Sequence, residues 1–232
     1  MPGKSLKRAL CLTILCAFCL AAFAGPDAVV AVSMASRYVT EGRDNLAGNG
    51  IGVIEAILPL GPLQFDVWRG EGVGVHYNEM QVAAELPWQA TKHTRFGFKV
   101  TRFWFDGALS PITDDTEAEV YVTFVQGRFG LLAHAYYSTD AGGFYTNIRP
   151  SALFSAGNLS FEAWAELGGN RDYVSGEANG INHLALGLDS SADLTPATSL
   201  TLTVSASAPL GHRDGATTEH VGWIGLAFLH RF

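Results

Sequence analysis

The chain has 232 residues, 48% of them hydrophobic and 11% aromatic, with a formal net charge of −7. That length allows one domain of an all-β architecture. The acidic balance argues against nucleic acid as a partner, since such a surface rewards a basic footprint. No segment beyond the N-terminal leader approaches the roughly 18 uninterrupted apolar residues of a helical membrane span, so the apolar content is dispersed in short pieces.

The first residues read as an address. Lys4, Lys7 and Arg8 form a positive start, 9–23 an apolar core, and Ala22-Phe23-Ala24 a small-x-small cleavage site. This predicts a secretory signal peptide over 1–24, removed to leave a mature domain of 25–232. Cys11, Cys16 and Cys19 all lie in the leader, so Cys16-Ala-Phe-Cys19 resembles a redox pair only in spacing. The mature chain is then free of cysteine, as suits an oxidising compartment.

Beyond the leader, alternation of apolar and polar residues marks strand after strand, with Gly, Pro, Asn and Asp between them. The first spans 28–40, with Val30, Val32 and Met34 opposing Ser33, Ala35 and Arg37. A polar loop over 41–49 follows. The second covers 50–60 and sets Glu55 against Ile54, Ala56 and Leu58; the third, 63–69, sets Asp66 against Phe65 and Val67. The fourth, 76–86, opposes Met80, Val82 and Ala84 to Glu79, Gln81 and Glu85. The fifth, 93–105, opposes Phe96, Phe98 and Val100 to Arg95, Lys99 and Thr101. The sixth and seventh, 117–125 and 130–138, carry Glu117, Glu119 and His134 against Val120, Val122, Leu131 and Ala133. The eighth, 144–155, carries Arg149 and an interrupting Pro150, which removes a ladder donor. The ninth, 159–167, sets Glu162, Trp164 and Glu166 against Phe161, Ala163 and Ala165. The tenth, 181–189, carries His183 and Asp189, and the eleventh, 199–208, alternates Leu and Val with Thr and Ser.

The last segment, 219–232, ends on Phe232 after Ile224, Leu226 and Phe228 on one parity. An unpaired edge of this kind invites aggregation, whereas a barrel closes it against the first strand. It resembles the closing strand of bacterial outer-membrane barrels, which implies that Phe232 is part of the insertion signal read by the barrel-insertion machinery. His230 stands where that pattern more often has Tyr or an apolar residue. The expected fold is therefore all-β: a single transmembrane, antiparallel up-and-down β-barrel of about 12 strands, with 10 or 14 as alternatives. Long connections at 41–49, 106–116, 168–180 and 209–218 fall on the outer side. Tight turns at 60–62, 127–128 and 157–158 fall on the periplasmic side, with a longer inner turn expected at 190–196.

Ser36-Arg37-Tyr38-Val39-Thr40-Glu41-Gly42 and Tyr77-Asn78-Glu79, with the closing Phe232, resemble the S-x-Y-x-x-R-G opening, the Y-N-E start and the end of the TorF-like family of outer-membrane porins. Glu41 stands where the family usually has Arg, and Arg43 follows two residues later. The resemblance implies a small channel in the outer membrane and brings no catalytic residues with it.

The parity places Arg37, Glu55, Asp66, Glu79, Glu85, Arg95, Lys99, Glu117, Glu119, His134, Arg149, Glu162, Glu166, His183 and Asp189 on the enclosed side. Carboxylates outnumber cations in that set. If water passes, the channel favours cations; if the charges bridge the lumen, the barrel is closed and acts structurally or through outer loops bearing Arg43, Arg171, Asp172 and His212. A lipid-modifying enzyme with His134 or His230 as base is a third reading, but no G-x-S-x-G elbow marks a nucleophile. Asp114-Asp115 and Asn170-Arg171-Asp172 could meet a divalent ion, though acid clusters at a surface are usually solvated. The glycine clusters at 48–52 and 70–74 miss G-x-G-x-x-G and read as turns. No cofactor, metal site or catalytic residue is expected; the expected partners are outer-membrane lipid and small solutes.

Overall fold

A strand in lipid must satisfy every backbone N–H and C=O through its neighbours, and closing the sheet on itself is how strands do this. The computed structural model, which describes residues 27–107, 113–173, 179–210 and 220–232, shows that solution. The expected signal peptide lies outside the described residues. Twelve strands form a closed antiparallel barrel: β1 (Val29–Ala35), β4 (Gly50–Leu60), β5 (Leu63–Val73), β6 (Tyr77–Gln89), β7 (Thr94–Gly107), β8 (Asp114–Gln126), β9 (Phe129–Ser138), β10 (Phe144–Ala156), β11 (Leu159–Arg171), β12 (Gly180–Thr195), β13 (Thr198–Pro209) and β14 (Val221–Arg231). Two short strands, β2 (Val39–Thr40) and β3 (Arg43–Asp44), pair with each other apart from the wall.

Each wall strand pairs with the next in sequence, and β14 closes on β1 from Val29 opposite Arg231 to Ala35 opposite Gly225. The Phe232 N–H donates to the Ala28 carbonyl at 3.0 Å, extending the seam by one residue. Its ring meets His230 edge-on at 4.8 Å and packs against the Ala28, Val30, Ile54 and Ala56 cluster.

Register settles which way each face points. One continuous row runs Met80–Trp104–Asp114 across β6 to β8, and the neighbouring inward row runs Gln81–Phe103–Asp115. The outward set is apolar over most of its height. Met34, Val120, Leu186 and Ile224 are each more than half exposed, at 60%, 54%, 55% and 55%. So much exposed apolar surface is stable only against hydrocarbon, and the belt places the protein in a membrane; with a closed β-barrel that is the bacterial outer membrane. Most connections at one end are two residues, at 61–62, 127–128, 157–158 and 196–197, as periplasmic turns are.

The structure corrects several expectations. Of the glycine clusters read as turns, residues 50–52 lie in β4 and 70–73 in β5, and the loop expected over 168–180 is strand as far as Arg171 and again from Gly180. The turn expected at 190–196 is strand: β12 runs on to Thr195 with a register shift between Asp193 and Thr195, and only 196–197 reverses the chain. Polar residues there lie at the barrel rim, where the outward side leaves hydrocarbon and no longer has to be apolar. The first strand leaves the wall at Ala35 rather than Thr40, where the Ser36 hydroxyl accepts from the Ile224 N–H at 3.0 Å. Arg37 therefore lies beyond the barrel wall and pairs with Asp44 at 2.8 Å. The segment 41–49 does not project outward as a loop; it folds back into the barrel.

An arginine at the middle of the outward belt replaces a hydrocarbon contact with a buried charge. Val120→Arg is expected to lower unfolding stability in lipid by about 2–4 kcal/mol, measured by urea titration against the parent barrel.

Candidate functional site: the lumen and its inserted hairpin

The tip of the β2–β3 hairpin is Glu41-Gly42, with φ of 47° and 74°. Positive φ at both central residues defines a type I′ turn, the turn whose twist suits a two-residue hairpin. Gly42 meets this freely. Glu41 does not, since a non-glycine residue held there costs of order 1–3 kcal/mol and persists only where its surroundings hold it. Its side chain supplies that: Glu41 Oε2 accepts from Arg43 at 2.8 Å and from Thr40 at 2.6 Å, and Oε1 accepts from the Tyr136 hydroxyl at 3.3 Å.

The partners of this segment lie all round the barrel. In ring order β9 stands opposite β1, and β6 and β12 stand opposite each other. Tyr38 donates to Glu79 on β6 at 2.7 Å, Tyr136 of β9 reaches Glu41, Asn182 of β12 donates to the Glu41 carbonyl at 3.2 Å, and Ser207 of β13 reaches the Gly42 carbonyl at 3.5 Å. The hairpin thus crosses the lumen from the β1 side to the far wall. A Cβ on Gly42 would stand 2.3 Å from His183 Cγ, so the tip is seated against β12.

The hairpin base is anchored by apolar contact. Leu46 is fully buried with Ile51 and Tyr77, and Tyr38, Val53, Trp68 and Phe105 pack around them. Asp44 fixes the return of the chain, accepting from the N–H groups of Leu46 at 3.1 Å and Gly48 at 2.8 Å. The polar composition of 41–49 hides this single leucine, which sequence reading missed together with Tyr38, Asp44, Tyr136 and Tyr173.

Below and around the hairpin the inward charges form two walls. On β5 to β9, Arg95 pairs with Glu85 at 2.7 Å, Tyr121 also donates to Glu85, and Gln64 of β5 donates to it at 3.2 Å. Lys99 pairs with Glu119 at 2.7 Å, and the other Glu119 oxygen meets His134 Nδ1. On β10 to β13, Asp189 accepts from Arg149 at 3.3 Å, Trp164 at 3.0 Å and Thr203 at 2.6 Å, while the Arg149 guanidinium lies 4.0 Å over the Trp164 ring. Glu166 meets His183 Nε2 at 3.3 Å, and Tyr145 bridges Asn182 and His183 Nδ1 at 3.1 and 2.9 Å.

The remaining candidates have distinct places. Glu79 is 3% exposed and accepts from Tyr38, Tyr77 and Gln81 rather than from a cation. Glu117 accepts from Tyr173, which the β11–β12 connection brings inward against Tyr136 and Tyr145. Burial, then the nearby Glu41 and Glu117, pushes the Tyr173 phenol well above its usual range, so it remains a donor. Glu55 and Asp66 sit diagonally across β4 and β5, and Glu162 stands opposite Asp189 across β11 and β12.

Side chains considered for other chemistry do not converge. Asp114 pairs with Arg102 on the outer face, whereas Asp115 points inward and accepts from Ser138 at 2.6 Å, Thr139 at 3.1 Å and the Asp140 N–H at 2.9 Å. Successive residues of a strand cannot serve one ion from the same side. Ser138 is committed to Asp115, His134 to Glu119, and His230 meets Thr198 Oγ1 at 3.0 Å near the opposite end of the barrel. Asp172 bonds to Asn179, Arg43 is turned into the lumen with Glu41, and His212 lies outside the described residues.

Removing the Glu79 carboxylate strands three donors in a buried setting. Glu79→Ala is expected to lower barrel stability by about 1–3 kcal/mol and to expose 36–49 to limited proteolysis in intact barrels, read by mass spectrometry of the fragments.

No family model and no curated protein matches the sequence. Solved structures match its fold. The KdgM porin superposes with a TM-score of 0.62 at 5% identity, covering 88% of this chain and 99% of its own. The NanC porin gives 0.63 at 8% identity over 88% and 100%. An outer membrane channel from Pseudomonas putida F1 gives 0.59 at 9% identity over 90% and 96%. At these identities the likeness is one of fold, and the fold shared is that of outer-membrane channel barrels.

Proposed function

We propose that this protein is a narrow outer-membrane channel for small solutes, with a preference for cations, and that it belongs with the TorF-like porins that its segments 36–42 and 77–79 resemble. The observation that carries the reading is the lumen itself. A closed barrel of twelve strands stands between the eight that side chains fill and the sixteen or more of wide pores. Its inward faces carry Glu55, Asp66, Glu79, Glu85, Glu117, Glu119, Glu162, Glu166 and Asp189 against Arg95, Lys99 and Arg149. An excess of one sign along a water path sets ion preference. Phe232 and the closing strand would be what the insertion machinery recognises, the belt would meet outer-membrane lipid, and the leader would be removed on export. The commitment of His134 and Ser138 to separate carboxylates supports transport over lipid chemistry.

The inserted hairpin favours a second reading, a barrel held shut until 36–49 moves. The two separate in planar bilayers. The intact barrel is expected to conduct, with a reversal potential on the cation side in a salt gradient, and Glu162→Gln with Glu166→Gln is expected to move it toward zero. Replacing 38–47 by a short Gly-Ser link is expected to raise conductance severalfold. Silence of the intact, folded barrel at all voltages, with current only after that replacement, would retire the open channel in favour of the closed one.

A further inference from the structure

A cavity of about 330 Å³ lies in the lumen against β10 to β14, roofed by hairpin residues 39–42. Trp164, Trp223, Arg149, Glu166, Asp189 and Ser205 line it. We propose that this cavity is a binding subsite for a neutral, polyhydroxylated solute of mono- or disaccharide size. The proposal rests on the channel reading for its meaning, but the site itself is argued from its own chemistry.

Charge is the first consideration. Three carboxylates face the cavity and each already has a partner: Glu41 with Arg43, Glu166 with His183, and Asp189 with Arg149, Trp164 and Thr203. Arg149 is likewise held, by Asp189 and by the Trp164 ring. An ammonium would find Glu41 and Asp189 already neutralised by Arg43 and Arg149, and a carboxylate would face three groups of its own sign. Both costs exceed that of a neutral solute, which leaves the pairs intact and hydrogen-bonds to their free lone pairs and N–H groups.

Shape and surface point the same way. Gly187, between Trp164 and Ser205 in the wall, has no side chain, and a Cβ there would meet Trp164 Cζ2 at 2.2 Å. The indole therefore lies close on the wall with Arg149 over its face. With one face of Trp164 against the wall and the other under Arg149, the indole left to a solute is that of Trp223, half-buried and opposite Ser205 in the β13–β14 ladder. A pyranose has an apolar C–H face and a rim of hydroxyls, which matches an indole bordered by mixed donors and acceptors. Finally, Ser205 is only 6% exposed and its Oγ has no hydrogen-bond partner among the described residues. A buried hydroxyl left unbonded is unfavourable until something meets it, and a solute hydroxyl in the cavity would. The volume is at the lower end of the roughly 300–1,000 Å³ of small-molecule sites, which excludes long chains from lying wholly within it.

The test uses the full mature barrel refolded in detergent, with folding checked by heat-modifiable gel mobility. Maltose, galacturonic acid and glucosamine are titrated by saturation-transfer NMR, and the same barrels are read for sugar-dependent current block in planar bilayers. Maltose is expected to bind saturably and about tenfold more tightly than either charged sugar, and Trp223→Ala to weaken it about tenfold. Should Trp223→Ala fail to fold, Trp223→Phe and Ser205→Ala carry the same test, each with a severalfold loss. Absence of saturable maltose binding, tighter binding of either charged sugar, or unchanged affinity in the folded variants overturns the site. NMR binding needs no ion flow, so saturable binding to a silent barrel would sink the channel reading alone, and conduction without binding would sink the subsite alone.

Discussion

Everything in this molecule depends on the seam between its first and last strands. In hydrocarbon, an unpaired N–H or C=O has no solvent to turn to, so a sheet of any width is untenable until its edges meet. β1 contributes only seven wall residues, Val29–Ala35, yet all seven pair with β14 on one side and β4 on the other. Once that ring is closed, which face meets lipid and which meets the interior is settled for every strand. The two-residue period of the backbone leaves no other choice.

The closure also creates the problem that the hairpin addresses. A ring of twelve strands encloses a space that its own side chains do not fill, and the inward surface is crowded with carboxylates, phenols and indoles. Some of these are satisfied within the wall, as in the Lys99–Glu119–His134 and Arg149–Asp189–Trp164 groups. Others need an insert. Tyr136 on β9, and Asn182 and Ser207 on the neighbouring β12 and β13, find partners at Glu41 and Gly42. The strained backbone of Glu41 is the local cost of that arrangement, and the distributed hydrogen bonds offset it.

The same insert gives the lumen two unlike sides. Toward β4 to β7 the space beside the hairpin is filled by Leu46, Tyr38, Trp68 and Phe105, an apolar packing with the character of a protein core. Toward β10 to β14 a cavity remains under the hairpin tip. On the proposed channel reading, a solute at this level meets the second side, against Trp164, Trp223 and their paired charges. The asymmetry follows from where the apolar anchor sits, next to β4, and from the short reach of a two-residue turn.

Strand number, strand order and the sidedness of each strand were written in the sequence, because all three follow from alternation and from turn residues that act over two or three positions. Strand ends were less legible: the polar run after Asp189 looks like a turn, since at the rim the outward side is released from being apolar. The interior was decided by tertiary structure. Nothing local to 36–49 distinguishes a polar loop in water from one folded into the barrel; its composition fits both, and its Glu-Gly tip is an unfavourable turn on its own. What turns it inward is a set of donors and apolar surfaces on β4, β6, β9, β12 and β13 that come together only when the ring is complete. The ion pairs were legible as inward charges but not as pairs, because register between strands, not parity within one, brings Lys99 to Glu119 and Arg149 to Asp189.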